Sequence, residues 1–187
     1  MSENAREAIL EAARIAAQHY GYGGINFRSI GETVGIKNAS IYYHFPSKAD
    51  LGAAVAKRYW QDAVKALEVL REENPEPLRS LQAYPSLFRK SLEDGNRLCL
   101  SSFMAAEYVD LPDAVRSEVL AFADINVAWL MARLTDLGAG SPEVCERRAR
   151  AIYSAIAGAQ LIARTRADIG LYDELIQSYQ DTGLIPA

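Results

Sequence analysis

The sequence predicts an all-α protein of about nine helices, and three observations carry that reading. Apolar residues recur at helical spacing, caps and breakers punctuate the whole chain, and alternating strand-like runs are nearly missing. Asn4 and Glu7 have the spacing of a capping box for a first helix that Gly21 ends, with Ile9, Ala13, Ala16 and Tyr20 as its apolar stripe. After the loop GYGGIN, Asn26 caps a short helix over residues 27–34, and Gly35 stops it. Ile36, Ile41 and Phe45 anchor a third helix over 38–44, which Pro46 breaks. Ser47 and Asp50 form a second capping box opening a long helix to about residue 73. ENPEP (residues 73–77) reads as a hinge-like turn and a domain boundary. Further helices are expected over 78–93, 98–109, 113–137, 142–168 and 172–180, separated by Asp94-Gly95, Leu111-Pro112, residues 138–141 and Gly170.

Composition narrows the function classes. The chain has 187 residues, half of them apolar and 24% charged, as in an ordinary globular protein. Its first residues are polar and Ala-rich, unlike a signal peptide. The longest weakly polar run, residues 151–163 between Arg150 and Arg164, is too short to span a bilayer, so no membrane partner is expected. Cys99 and Cys145 make no disulfide framework, which places the chain in a reducing cytoplasm. Two histidines leave little room for a zinc site, and no metal or cofactor is expected. The net charge of −4 argues against a nucleic-acid partner until the chain is divided. Residues 1–58 carry seven basic and five acidic side chains, a net of +2, whereas the remainder carries 13 and 19, a net of −6. Any anionic partner therefore belongs at the N-terminus.

RSIGETVGIKNASIYYHF, residues 28–45, has the dimensions of a helix-turn-helix. Burying Ile30, Val34, Ile36, Ile41 and Phe45 against the first helix leaves Lys37, Asn38, Ala39, Ser40, Tyr43 and His44 projecting from the second short helix. Small side chains at Ala39 and Ser40 permit close approach to base edges, and tyrosine hydroxyls with His44 can reach phosphates. Tyr42 divides between core and backbone contact. Lys48, in the first turn of the next helix, opposes the helix dipole unless an anion lies nearby; with the backbone N–H groups of that turn it forms a phosphate site. The residues alone leave a purely structural hairpin as the other reading.

GINFRSIGETVGIKNASIYYHFPSKADL, residues 24–51, resembles the DNA-binding domain of tetracycline-repressor-type (TetR/AcrR) regulators. Ile41, Tyr42, His44, Phe45, Ser47, Lys48 and Leu51 occupy that family's Leu-Tyr-x-His-Phe and Ser-Lys-x-x-Leu positions, and the match covers roughly residues 5–55. Asn26 stands where Thr or Ser is usual, and Lys37-Asn38 replaces the commoner Ser-Lys or Ser-Arg. The resemblance implies that Arg28, Tyr42 and Lys48 meet DNA. It implies a helix-turn-helix domain over 1–50, with the motif at about 27–45, and a helical ligand-binding and dimerisation domain over 51–187. Such proteins bind double-stranded operator DNA as homodimers, their recognition helices roughly 34–36 Å apart.

For the acidic body, Ala151, Ala155, Gly158 and Ala159 with Ile162, Leu175 and Tyr179 are expected at a four-helix dimer interface; an internal core face is the other reading. The aromatic residues Tyr84, Phe88, Phe103, Tyr108, Phe122, Trp129 and Tyr153 either fill a core or line an inducer pocket. The segment from Asn96 to Val119 is similar to one in repressors that sense electrophiles: Cys99-Leu100, Ala106-Glu107, Leu111-Pro112 and Arg116 match, while Leu98 replaces a glycine. That similarity implies a sensor at Cys99, its thiolate favoured by a helix N-terminus and by Arg97; an inert buried thiol is the alternative. Cys145 is expected on an exposed helix start.

The expected function is a ligand-responsive DNA-binding repressor, with a helical protein-binding adaptor as the alternative. An enzyme is disfavoured. Neither His19 nor His44 has the Glu-x-x-His spacing of a di-iron bundle, GYGG lacks the lysine of a phosphate loop, and no serine sits in a Gly-x-Ser-x-Gly elbow.

Overall fold

The computed structural model describes residues 2–187, with side chains from Asn4 onward. The regular structure of the described residues is entirely helical, in ten α-helices and two 3-10 turns. They divide into two compact units. The first comprises residues 1–61 and 100–122, the second 62–99 and 123–187. The chain thus passes between units three times, inside α4 (Lys48–Glu73), between Cys99 and Leu100, and inside α8 (Asp113–Asp136), and the turn at 74–76 lies within the second unit rather than at a boundary.

In the first unit, α1 (Ser2–Tyr20), the 3-10 turn Tyr22–Gly24, α2 (Phe27–Val34), α3 (Asn38–His44) and the start of α4 surround one core with α7 (Leu100–Ala106) and the start of α8, while the 3-10 turn Tyr108–Asp110 between the last two buries no side chain. Both short helices end where their local chemistry dictates. Asn26 Oδ1 accepts from the amides of Arg28 and Ser29 at 3.0 and 3.1 Å, satisfying donors that the first turn would leave orphaned. Gly35 adopts φ 75°, the left-handed conformation that costs glycine nothing. Ser47 Oγ accepts from the Asp50 amide at 3.1 Å and donates to its carboxylate at 2.7 Å, opening α4. Ile30, Ile41 and Phe45 are buried against Ile9, Leu10, Ala13 and Ala17 of α1.

The start of the chain departs from expectation. α1 begins at Ser2, so Asn4 lies inside the helix and caps nothing; Glu7 accepts from Arg58 at 2.6 Å, pairing α1 with α4. The buried stripe of α1 is Ile9, Leu10, Ala13 and Ala17, with Ala16 half-buried and Tyr20 exposed, so the buried face lies toward Leu10 and Ala17 rather than along the line from Ile9 through Ala16 to Tyr20.

In the second unit, the end of α4, α5 (Pro77–Ala83), α6 (Ser86–Glu93), the end of α8, α9 (Pro142–Arg166) and α10 (Ile169–Asp181) enclose Leu81, Tyr84, Phe88, Leu130, Leu134, Ile152, Ile156 and Tyr172. The helix expected over 78–93 is two, since Pro85 cannot donate a backbone hydrogen bond and clashes with the preceding turn. The Pro85 carbonyl, which accepts from the amides of Phe88 and Arg89, also accepts from the Tyr172 hydroxyl at 2.7 Å. Likewise, the helix expected over 98–109 starts at Leu100 and gives way to the second 3-10 turn after Ala106. Arg89 grips the Asp173 carboxylate with two N–H groups at 2.7 and 2.8 Å, joining α6 to α10 and holding that carboxyl below its ordinary range. No helix among the described residues is long and apolar enough to cross a membrane.

Candidate nucleic-acid interface

α3 is held by a single fully buried side chain, Ile41; everything else on it faces outward or lies part-way. Lys37, Asn38, Ala39 and Ser40 are exposed at its start, and Tyr43 is 81% exposed at its end. Tyr42 is 55% exposed and rests its ring against Phe27 of α2, centroids 4.8 Å apart, which fixes where its hydroxyl points. His44 is half-buried, its ring edge-on to Tyr43 at 5.2 Å. Arg28 is exposed and paired with Glu32 at 3.2 Å, an exposed i,i+4 pair that a phosphate can replace at little cost.

Beside this helix runs a groove of about 370 Å³ lined by Gly23, Ile25, Asn26, Phe27, Arg28, Asn38, Tyr42 and Lys48. Four residues expected at DNA (Arg28, Asn38, Tyr42 and Lys48) therefore share one concave surface. Lys48 is oriented from the side of the 3-10 turn: its Nζ lies 3.4 Å from the Gly23 carbonyl and 4.5 Å from the centre of the Tyr22 ring. Tyr22 and Gly23 were not among the expected site residues. Their only trace in the sequence is the glycine-rich loop preceding the helix-turn-helix, a pattern that marks a turn without naming its neighbours.

The comparisons agree with this geometry. A family model described as "Bacterial regulatory proteins, tetR family" matches residues 9–55. The HTH-type transcriptional repressor AcnR of Corynebacterium diphtheriae is 37% identical over 81 residues, which are 43% of this chain and 41% of that protein. Its counterpart in Corynebacterium efficiens is 30% identical over 129 residues, 65% of this chain and 67% of its own length. The crystal structure of a TetR-family transcriptional regulator from Agrobacterium tumefaciens is similar with a TM-score of 0.90 at 27% identity, covering 97% of this chain and 98% of that one. The chain belongs to the TetR family.

In this TetR-family chain the expected sensor residues are divided between the two units. Phe103, Tyr108 and Phe122 belong to the first unit and Trp129 and Tyr153 to the second. Tyr108 is exposed, with the Arg116 guanidinium 5.1 Å from its ring centre, so it lines no interior. Phe122 stacks on Tyr59 at 5.2 Å. The rings that do gather are those of the second unit: Tyr84 stacks on Trp129 at 5.5 Å and tilts against Phe88 at 5.8 Å, and Phe88 meets the edge of Tyr153 at 6.2 Å. Tyr84 Oη donates to Asn126 at 2.7 Å, and burial pushes its hydroxyl well above the ordinary phenol range. The indole N–H of Trp129 is buried and has no acceptor among the described residues. Tyr153 also lines a groove of about 510 Å³ between α8 and α9, floored by Val127, Ala128 and Met131 and flanked by Arg150 and Glu146, which are paired at 2.6 Å.

Cys99 is 2% exposed, and its environment is not the electropositive one expected. Arg97 is buried too, but its guanidinium pairs with Asp94, whose charge cancels its own. The Cys99 amide donates to Gln160 Oε1 at 2.9 Å, while Gln160 donates to the Phe88 carbonyl at 2.6 Å, so a fully buried amide bridges α9 to the chain before α7. Cys145 is fully buried rather than on an exposed helix start, its thiol 3.7 Å from the Gly140 carbonyl. Among the expected dimer residues, Ala159 is buried within the chain and faces no partner. Ala151, Gly158 and Ile162 are exposed, and Ala155, Leu175 and Tyr179 are half-buried. Leu161, not expected, joins Ile162 as an exposed apolar side chain. No group of three or more potential metal ligands occurs among the described residues.

Proposed function

We propose that the chain is a transcriptional repressor that binds double-stranded operator DNA as a homodimer, in the cytoplasm, and lets go when a small molecule occupies its helical body. Residues 1–50 act as the DNA-binding head and 51–187 as the ligand-binding and dimerisation part. The observation that carries this reading is the concave surface shared by α3 and Lys48: an exposed row of short side chains (Asn38, Ala39 and Ser40) flanked by groups suited to phosphate (Arg28, Lys37, Tyr42, Tyr43, His44 and Lys48). Asn38 has the donor–acceptor pair needed to read adenine. The basic side chains of this surface lie on an otherwise acidic chain, which locates an anionic partner here.

A shift assay on the promoter of the chain's own gene tests the reading, with Lys48→Ala as the informative variant. Lys48→Ala is expected to weaken binding to all sequences alike and to lower the slope of log affinity against log salt by about one, the signature of one lost phosphate contact. A changed sequence preference at an unchanged slope would refute that role.

The small molecule has an apolar body that enters the helical body beside Tyr153, at the groove over Val127, Ala128 and Met131, and an acceptor for the Trp129 indole N–H. An electrophile at Cys99 is the second reading, supported by the thiol's place at the start of the chain segment resembling electrophile sensors. At 2% exposure, Cys99 is expected to label in the native chain far more slowly than in denaturant. Equal labelling rates in the two states would favour the electrophile.

A further inference from the structure

Glu107 of the 100–122 segment reaches into the head. Its Oε2 accepts from the Tyr22 amide at 2.6 Å, at the start of the 3-10 turn Tyr22–Gly24. Gly21, at φ 68°, lies so close that a Cβ there would overlap the carboxylate, so the backbone conformation and the contact require glycine together. The backbone that carries this carboxylate is fixed by its own hydrogen bonds. The Glu107 amide donates to the Met104 carbonyl at 3.0 Å, and its carbonyl accepts from the Asp110 amide at 2.9 Å. Arg116 then clamps the following turn, donating to the carbonyls of Tyr108 and Val109 at 3.0 and 2.8 Å. Glu107 and Arg116, which the resemblance ties to sensing, thus belong to one braced turn that presents a carboxylate to the head.

The turn that Glu107 grips supplies both groups that orient Lys48, the Tyr22 ring and the Gly23 carbonyl. We infer that Glu107 is a positioning residue for DNA binding, which acts through the Tyr22–Gly24 turn to hold the Lys48 ammonium at the phosphate. The inference rests on the proposed phosphate role of Lys48. Without the carboxylate, the Tyr22 amide loses its acceptor, the turn is free to shift, and Lys48 pays for ordering its long side chain on binding.

The test measures affinity and salt slope on duplex DNA of random sequence and on a duplex selected by the parental chain from a randomised pool. Glu107→Ala, Glu107→Asp and Glu107→Gln are each made with Lys48 and with Lys48→Ala. Glu107→Ala is expected to lose about as much affinity as Lys48→Ala, to lower the salt slope by about one, and to lose nothing more when combined with it. Glu107→Asp, whose oxygen is drawn back by one methylene, should behave alike and carries the comparison if the alanine variant melts below the assay temperature. Glu107→Gln keeps an acceptor oxygen and should bind like the parent. Parental slopes in Glu107→Ala and Glu107→Asp, or losses that simply add to that of Lys48→Ala, would overturn the inference while leaving the Lys48 reading intact. A parental slope in Lys48→Ala alone would overturn the phosphate reading and this inference with it.

Discussion

Glutamate at both Leu161 and Ile162 is expected to leave a folded monomer that binds a two-half-site operator about 10²–10⁴-fold more weakly than the parent. These neighbours on α9 are 48% and 47% exposed, whereas the opposite face of the helix, Ile152, Ile156, Ala159 and Ala163, is buried within the chain. Adjacent large apolar side chains left in water on a helix with a satisfied inner face are what the proposed dimer interface requires. Around them Ala151 and Gly158 are exposed and Ala155 half-buried, and open space surrounds the position a Gly158 Cβ would take, so a second helix can approach closely. In a two-fold dimer each substitution acts twice, and the introduced carboxylates face one another across the axis. The heads then bind one at a time and forfeit the effective concentration that linkage provides. Light scattering and a shift assay on the same preparation decide the matter. A dimer that survives both substitutions would move the interface elsewhere.

Ile41→Ala is expected to lower stability by about 2–5 kcal/mol and to abolish operator binding. Ile41 is fully buried and is the one buried side chain among residues 38–44, so α3 has no second anchor of its own. The aromatic side chains around it cannot compensate. Tyr43 is almost wholly in water, and Tyr42 touches only the edge of the core through Phe27. Urea unfolding followed by far-ultraviolet circular dichroism gives the stability, and the shift assay gives the binding. An unaltered urea midpoint would mean that the head tolerates the cavity and that α3 is held by its turn instead.

The outline of the head was legible because its determinants are local. Asn26, Gly35, Pro46 and the Ser47–Asp50 pair act on amides at most a few residues away, and the helices 27–34 and 38–44 fall where those residues place them. The same reasoning failed at Asn4, where a good capping residue lies inside the helix and Glu7 is claimed by Arg58, 51 positions on. A carboxylate that can cap can equally pair, and packing chooses between the two. Pro85 was a breaker in plain sight, but the length of the apolar pattern across 78–93 outweighed it in the sequence.

The amino-acid sequence by itself determined the all-α class, the helix-turn-helix and the row of side chains that α3 turns outward, since caps, breakers and helical periodicity are properties of neighbours. Tertiary structure alone decided the rest. It paired Glu107 with Tyr22 across 85 positions, Gln160 with Cys99 across 61 and Tyr84 with Asn126 across 42. It also set the burial of both thiols. A polar side chain carries no record of its distant partner. Which donor meets which acceptor follows from how the helices pack, because a buried polar group must be satisfied by whatever packing brings within reach.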